Sequence, residues 1–378
     1  MAVPLIGAAP ATGEPVNIDA IVSLTGTGAF IGAEEAKSLE LVAEIANKQG
    51  GVRGRPVHFS IADDQSNPSL GIQLLNQAIA RHASVVMGPA ATATCKAALP
   101  LVKEHGPVIY CLTGNVSLPA NGYAFGGGIY TYDLMDSILR FVKAKKWSKI
   151  ALITSTDASG QDFEGAFDFG MRQTAASGLS VTAREHFNPT DLTVAAQLQR
   201  VKSAQADVVV GWTAGSAFGT LLRGYGEAGI ELPIMTSNAN VIATQLEQYA
   251  SFMPKQLLFP GFLGMVRGAV GKGPLDDAQA AYFAAVGDPL KAADVGYNIA
   301  WDPAWVVIGA LRALGPDASA TAIRDSILQL HGYIGINGVF DFRDGLQRGI
   351  RANGAVMLRW DPAKPRYVVE SRPGGALK

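Results

Sequence analysis

Residues 16–68 decide the fold: VNIDAIVSLTGTGAFIGAEEAKSLELVAEIANKQGGVRGRPVHFSIADDQSNP. The opening VNIDAIVSL is rich in Val and Ile and reads as a strand. Residues 33–48 follow as a helix, with Ala36, Leu39, Val42, Ala43 and Ala46 recurring on one face. Gly50 and Gly51 stop that helix in the manner of a C-cap. VHFSIA then turns Val57, Phe59 and Ile61 to one side, the period-2 mark of a second strand. Asn67-Pro68 opens a further helix, an N-cap residue followed by proline in the first turn. Between the first strand and its helix, LTGTGAFIG raises the question of a dinucleotide loop. Its glycines, Gly26, Gly28 and Gly32, are spaced GxGxxxG rather than GxGxxG, and no acidic residue ends the second strand about 20 positions on. A Gly-Lys-Ser/Thr phosphate loop is absent as well.

The same alternation continues outward. SVVMG and PVIYCL are short β-rich runs with a helix between them at 93–105. KIALIT, LSVTAREHF, ADVVVGW and LPIMTS repeat the pattern from Lys149, with helices at 162–176, 192–204 and 217–228. Each half thus holds four strands and three intervening helices, which requires parallel sheets covered on both faces. After Ser251 come a strand QLLFPG, helices near 276–286, 302–314 and 321–330, a strand GVFDF, and a hairpin in GAVMLRW-DPAKP-RYVVES. The fold class is α/β, with two doubly wound lobes.

Composition narrows the function. The chain has 378 residues, 48% apolar and 17% charged, enough for two well-buried domains. A formal net charge of −1 offers no basic excess for nucleic acid. The two cysteines, Cys95 and Cys111, exclude a disulfide scaffold; two buried thiols are the expected state, with a single bridge left open. The run AAPA at 8–11 fits the remains of a signal-peptide cleavage site or a loose amino terminus.

Ligands of open parallel sheets bind beyond the carboxyl ends of the strands. Here those loops are TGTGAFIG, GPAATATC, LTGNVS, TSTDASGQD, GWTAGS and TSNAN. They carry Gly, Ser, Thr, Ala and Asn with few charges and no histidine, which suits a pocket better than a reaction centre. The five histidines (His58, His82, His105, His186 and His331) are scattered and none has metal-ligand spacing. Ser159 has no histidine nearby in its loop to activate it. Asp63-Asp64 reads as a cap of the following turn rather than a metal pair.

Segments of this chain resemble the type I periplasmic substrate-binding proteins of ABC importers, specifically the branched-chain amino acid-binding (Leu/Ile/Val-binding) family. The resemblance rests on SLTGTGAFIG…NKQGG…DDQSNP, on VVMGPAATAT, on TDASGQD and on VGYNIAWDPAWVVIGAL. It implies two lobes joined by three crossovers, near 121–123, 257–261 and 335–340, with the ligand in the interlobe cleft. Lobe one would take 16–121 and 258–336, and lobe two 122–257 and 337–378, after a flexible 1–15. It further implies an extracytoplasmic monomer without cofactor or catalysis, whose partners are a small organic acid and a membrane permease. A branched-chain or other amino acid-binding protein of the same family, a cytoplasmic sensor of the amide-regulator type and an α/β enzyme acting on small acids are the alternatives. The ligand carboxylate would lie at Ala91 and Thr92 and at Leu112-Thr113-Gly114. The position that usually carries a carboxylate for a ligand ammonium is Asn238, and a tyrosine position is Ser159. A neutral amide cannot offset a buried ammonium. An amine-free acid is therefore expected, with Phe30, Trp212 and Tyr297 against its apolar part and Thr27 offering backbone groups.

Overall fold

The alternation read from the sequence builds two separate sheets. The computed structural model describes residues 10–173 and 176–378. The first sheet and its helices comprise β1 (Val16–Val22), α1 (Ala29–Lys48), β2 (Val57–Asp63), α2 (Pro68–Ala80), β3 (Val85–Met87), α3 (Thr92–Ala98), β4 (Val108–Cys111) and β5 (Ala124–Gly126). Its five strands are parallel, in the order β2-β1-β3-β4-β5. The second unit comprises α4 (Thr131–Ala144), β6 (Lys149–Ser155), α5 (Ala158–Met171), β7 (Ser180–Phe187), α6 (Ala195–Ser203), β8 (Val208–Trp212), α7 (Ser216–Glu227), β9 (Ile234–Thr236), α8 (Ala243–Gln248) and β10 (Leu257–Phe262).

The chain then returns to the first unit through α9 (Pro274–Val286), α10 (Pro289–Ala293), α11 (Val295–Leu314), α12 (Ala320–Leu328), β11 (His331–Ile334) and β12 (Val339–Asp341). Helix α11 packs along α1, and α12 packs on β4. Finally β13 (Ala355–Asp361) and β14 (Arg366–Val369) form the expected hairpin. Strand β13 lies antiparallel to β10, completing a seven-stranded sheet in the order β14-β13-β10-β9-β8-β6-β7.

Sheet membership locates the passages between lobes. β5 belongs to the first sheet, so the chain leaves it after Gly126 rather than near 121–123. β10 lies wholly in the second sheet, so the return follows Phe262 rather than 257–261. The third passage connects β12 to β13. Of the amino terminus expected to be loose, residues 1–9 lie outside the described residues. Ala11 and Thr12 donate backbone hydrogen bonds to Asn47 and Gly54. The helix expected over 162–176 is α5, which starts earlier and ends at Met171; residues 174 and 175 are outside the described set.

Burial follows the strand period. On β6, Ile150 and Leu152 pack with α4 and α5, while Ala151 and Ile153 belong to the opposite core. Both faces of this sheet are therefore dry, as a helix-covered parallel sheet requires.

Cys95 and Cys111 are joined by a disulfide, with a Cα separation of 6.0 Å. This corrects the expectation of two free thiols. Both cysteines are fully buried, and the bridge ties α3 to the end of β4. No helix of the described residues is long and apolar enough to cross a membrane.

Candidate functional site

The carboxyl ends of the parallel strands of the two sheets carry loops that meet. The first is LTGTGAFIG, and its shape is set by Asp63 and Asp64. Asp63 Oδ1 accepts from the Leu24 amide at 2.8 Å and Oδ2 accepts from the Thr25 hydroxyl at 2.7 Å. These bonds hold the Asp63 carboxyl below its ordinary range, although burial opposes them. Asp64 accepts from the Ser23 hydroxyl at 2.6 Å and the Ser66 amide at 2.9 Å. The Ser66 hydroxyl donates to the Thr25 carbonyl and accepts from the Gly28 amide. The acidic pair thus anchors the first loop as well as the turn after β2, a larger role than capping.

Two glycines explain how closely these segments approach. A Cβ at Gly32 would lie 2.1 Å from the Ser23 carbonyl oxygen, so α1 rests directly on the end of β1. Gly215, before α7 and at φ +66°, would put a Cβ 2.1 Å from the Thr27 carbonyl oxygen. Thr27 is therefore in contact with the opposite lobe through its backbone. Phe30 is half-buried against the main core.

On the first lobe, Thr92 and Thr113 come together: their hydroxyl oxygens are 3.1 Å apart. Thr113 Oγ1 also accepts from the Asn115 amide. Ala91 is the N-cap of α3 and supplies no side-chain cap. Helix α3 spans only seven residues before passing into a short 3₁₀ turn, Leu99–Val102, instead of running through 93–105. Leu112 and Thr113 are buried, and Gly114 packs so closely on Ile129 that a Cβ would meet its carbonyl oxygen at 2.3 Å.

Sequence reasoning missed the residue that fixes this stretch. Arg348, on the third passage, is 4% exposed. It donates to the carbonyls of Thr113 (3.3 Å), Gly128 (3.0 Å) and Val116. Its guanidinium lies over Tyr130, 5.1 Å from the ring centre. Burial lowers its pKa to about 10, so it remains charged. Nothing near Arg348 in the sequence marks it, because its partners are more than 200 residues away.

On the second lobe, Asp157 caps α5, accepting from the amides of Ser159 and Gly160 and from the hydroxyls of Ser155 and Ser159. The Ser159 hydroxyl is thereby committed to the cap. Trp212 overturns its expected place at the rim. It is fully buried and stacks on Phe163, with ring centres 4.0 Å apart. The inward face of β8 selects the indole, so Trp212 is a core residue. Asn238 is buried in the short 3₁₀ turn after β9. Beside it, Asn240 donates to the Thr213 carbonyl at 2.8 Å and to the Thr236 hydroxyl at 2.9 Å. The buried Asn240 Oδ1 and Thr213 Oγ1 have no partner among the described residues.

The lobes also join at the start of α11. Val295 donates to the Val241 carbonyl at 2.8 Å, and Asp294 Oδ1 accepts from the Ala243 amide at 2.8 Å. Burial raises Asp294 to about pKa 8, which leaves it largely neutral near pH 7. Tyr297 is buried on the next turn, and its carbonyl accepts from Ser38.

The structure thus gathers Ala91, Thr92, Leu112, Thr113 and Gly114 on one lobe. It sets Ser159 in the first turn of α5 and Asn238 in the 3₁₀ turn after β9, both on the other lobe, and removes Trp212 to the core. An open cavity of about 880 Å³ lies elsewhere, lined by Asp133, Asp341, Asp344, Arg343 and Arg351. Its arginines are already paired, Arg343 with Asp341 and Arg351 with Asp344, each at 2.6 Å. We place the candidate site at the convergent strand ends, where the two lobes meet.

Two α/β lobes with loops converging at their strand ends define a two-lobed α/β protein. The chain belongs to the periplasmic binding protein family, whose sequence profile matches residues 15–364. A Leu/Ile/Val-binding protein homolog 3 of Brucella melitensis is 27% identical over 237 residues, 61% of this chain. The chain spans 63% of that relative's length. A branched-chain amino acid transporter substrate binding protein of Streptococcus pneumoniae, in complex with isoleucine, has the same fold. Its TM-score is 0.76 at 18% identity, covering 94% of this chain and 99% of that one. A solute binding protein of an ABC transporter from R. palustris, in complex with benzoate, gives 0.75 at 17%, covering 94% and 95%.

Proposed function

We propose that this chain is the extracytoplasmic solute-binding component of an ABC importer, and that its ligand is a small organic acid without an α-amine. The lobes close on the ligand, and the closed form is presented to a membrane permease. The observation that supports the ligand class is the neutral, buried Asn238 on the second lobe, taken together with the Thr92–Thr113 hydroxyl pair on the first. The hydroxyl pair offers donors to a carboxylate. Asn238 offers no charge to an ammonium, whose unpaired burial would cost several kcal/mol. Asp157 is committed to the α5 cap through Oδ1, which takes two amides and two hydroxyls. Phe30 and Tyr297 supply apolar surface for an aromatic or other apolar body.

An amino acid ligand is the second reading. It draws support from Glu34 Oε2, which is buried without a partner among the described residues. The similar structures carry ligands of both kinds, isoleucine in one and benzoate in the other.

A thermal-shift screen separates the readings. Ligand that binds only the folded state stabilises by RT ln(1 + [L]/Kd), about 2.7 kcal/mol at one hundred times Kd. Benzoate and its hydroxylated and acyl-chain relatives should raise the melting temperature, and leucine, isoleucine and valine should not. Strong shifts with the three amino acids and none with aromatic acids would reject the amine-free reading. Asn238→Asp provides the reverse control: the new carboxylate should weaken an amine-free acid.

A further inference from the structure

One cationic side chain crosses from the first lobe to the second. Lys96 stands on α3, next to the disulfide-bonded Cys95, and its ammonium donates to the carbonyl of Ala158 at 3.4 Å. Ala158 opens α5, and α3 packs directly on α5. One turn farther along α5 lies Asp162. Its Oδ2 is buried and has no hydrogen-bond partner among the described residues. The groups facing this carboxyl are the Thr131 hydroxyl and the charges of Lys96 and Arg348, with the Tyr130 phenol beside them. Arg348 gives three of its five N–H groups to backbone carbonyls and sits on the third passage between the lobes. Lys96 is the facing cation carried by a helix of the first lobe.

We propose that Lys96 is a closure residue, which holds the lobes together by bringing its ammonium to the buried Asp162 of the opposite lobe. When the lobes part, Lys96 leaves with α3 and Asp162 regains water. When they close, the carboxylate loses water and the ammonium offsets the loss. Deleting the ammonium alone leaves an undercompensated buried charge, which is the costly way to break such a pair. Deleting both charges removes that penalty. The disulfide contributes by fixing α3, so that the position of Lys96 is set before closure. This inference concerns the lobes and not the ligand, and it does not depend on which acid is bound.

The test uses the full chain stripped of ligand by unfolding and refolding, with small-angle X-ray scattering as the readout. Lys96→Met keeps the apolar stem and removes the charge. It should raise the open-to-closed ratio about tenfold and so increase the radius of gyration. Lys96→Arg should scatter like the parent. The double variant Lys96→Met/Asp162→Asn should return toward the parent, although its bond to the Ala158 carbonyl is still missing. That recovery separates charge compensation from a merely structural contact. A Lys96→Met radius equal to the parent's overturns the inference, and so does a double variant as open as Lys96→Met. Asp162→Asn alone, folded and closed, checks that the site tolerates a neutral side chain.

Discussion

Reducing the Cys95–Cys111 bridge should cost about 3 kcal/mol of unfolding free energy. The two cysteines are 16 residues apart, and closing a loop of that length removes roughly this much free energy from the unfolded ensemble. Reduction leaves both sulfurs in place, so packing changes little and the chain-closure contribution is isolated. Alanine at both positions should cost more, because two small buried cavities add about 1 kcal/mol each. The assay is urea unfolding of the oxidised protein and of protein reduced and kept under reductant, followed by tryptophan fluorescence. Loss should fall on the first lobe, where α3 and β4 are joined. The bridge also flanks the candidate site: Cys95 follows Thr92 by less than one turn, and Cys111 immediately precedes Leu112-Thr113. Reduced protein held well below its midpoint should therefore bind ligand more weakly as α3 loosens. A stability change under about 1 kcal/mol would refute the claim that the bridge restrains the unfolded chain.

Two further predictions concern buried groups. Glu35 is fully buried, and burial, with Asp64 adding to it, raises its carboxyl from the ordinary 4.5 to about 8. Between those values the native chain holds a proton that the unfolded chain has lost, so the stability it contributes is complete below about pH 4.5. That contribution is lost as pH rises toward 8. Glu35→Gln should accordingly leave stability near its parent value at pH 4.5 and raise it at pH 9, measured by denaturant titration. An equal effect at both pH values would contradict this. Trp212→Ala should destabilise the second lobe by about 3–5 kcal/mol, since it empties a fully buried ring site stacked on Phe163. Its effect should appear in thermal unfolding rather than in the order of ligand preference; a reversed preference would return Trp212 to the ligand site.

Much of this architecture is legible in residues 16–68 alone. The apolar face of α1, the Asn67-Pro68 start of α2 and the alternation in β2 are local patterns, and local physics decides them. Asn67 accepts from the amides of Ser69 and Leu70, as its position before proline predicts. The sequence reading assigns no strand or helix between 118 and 148, where β5 and α4 lie. β5 has three residues, and α4 begins after Tyr130 without a side-chain cap. The three residues of β5 leave little pattern, whereas α4 does carry an apolar face, with Leu134, Ile138, Phe141 and Val142 buried, that the reading passes over.

The site was partly legible for the same reason. Loop positions follow from strand ends, so Thr92 and Thr113 could be paired in expectation before their hydroxyls are seen 3.1 Å apart. Which face of a strand end a side chain takes is a tertiary matter. Trp212 closes β8 and could have turned outward or inward; packing against Phe163 decides it. Arg348 and Lys96 escape notice because a single charged residue carries no local pattern, and their partners come from distant segments.

Calorimetric titration of benzoate and of leucine into the parent and into Thr92→Ala and Thr113→Ala tests the proposed function most directly. The account predicts that the parent binds benzoate or a close aromatic relative and not leucine. Each hydroxyl deletion should weaken that acid by about tenfold, the cost of one hydrogen bond to a charged group. Leucine bound tightly by the parent, with benzoate ignored, would contradict the account at its centre.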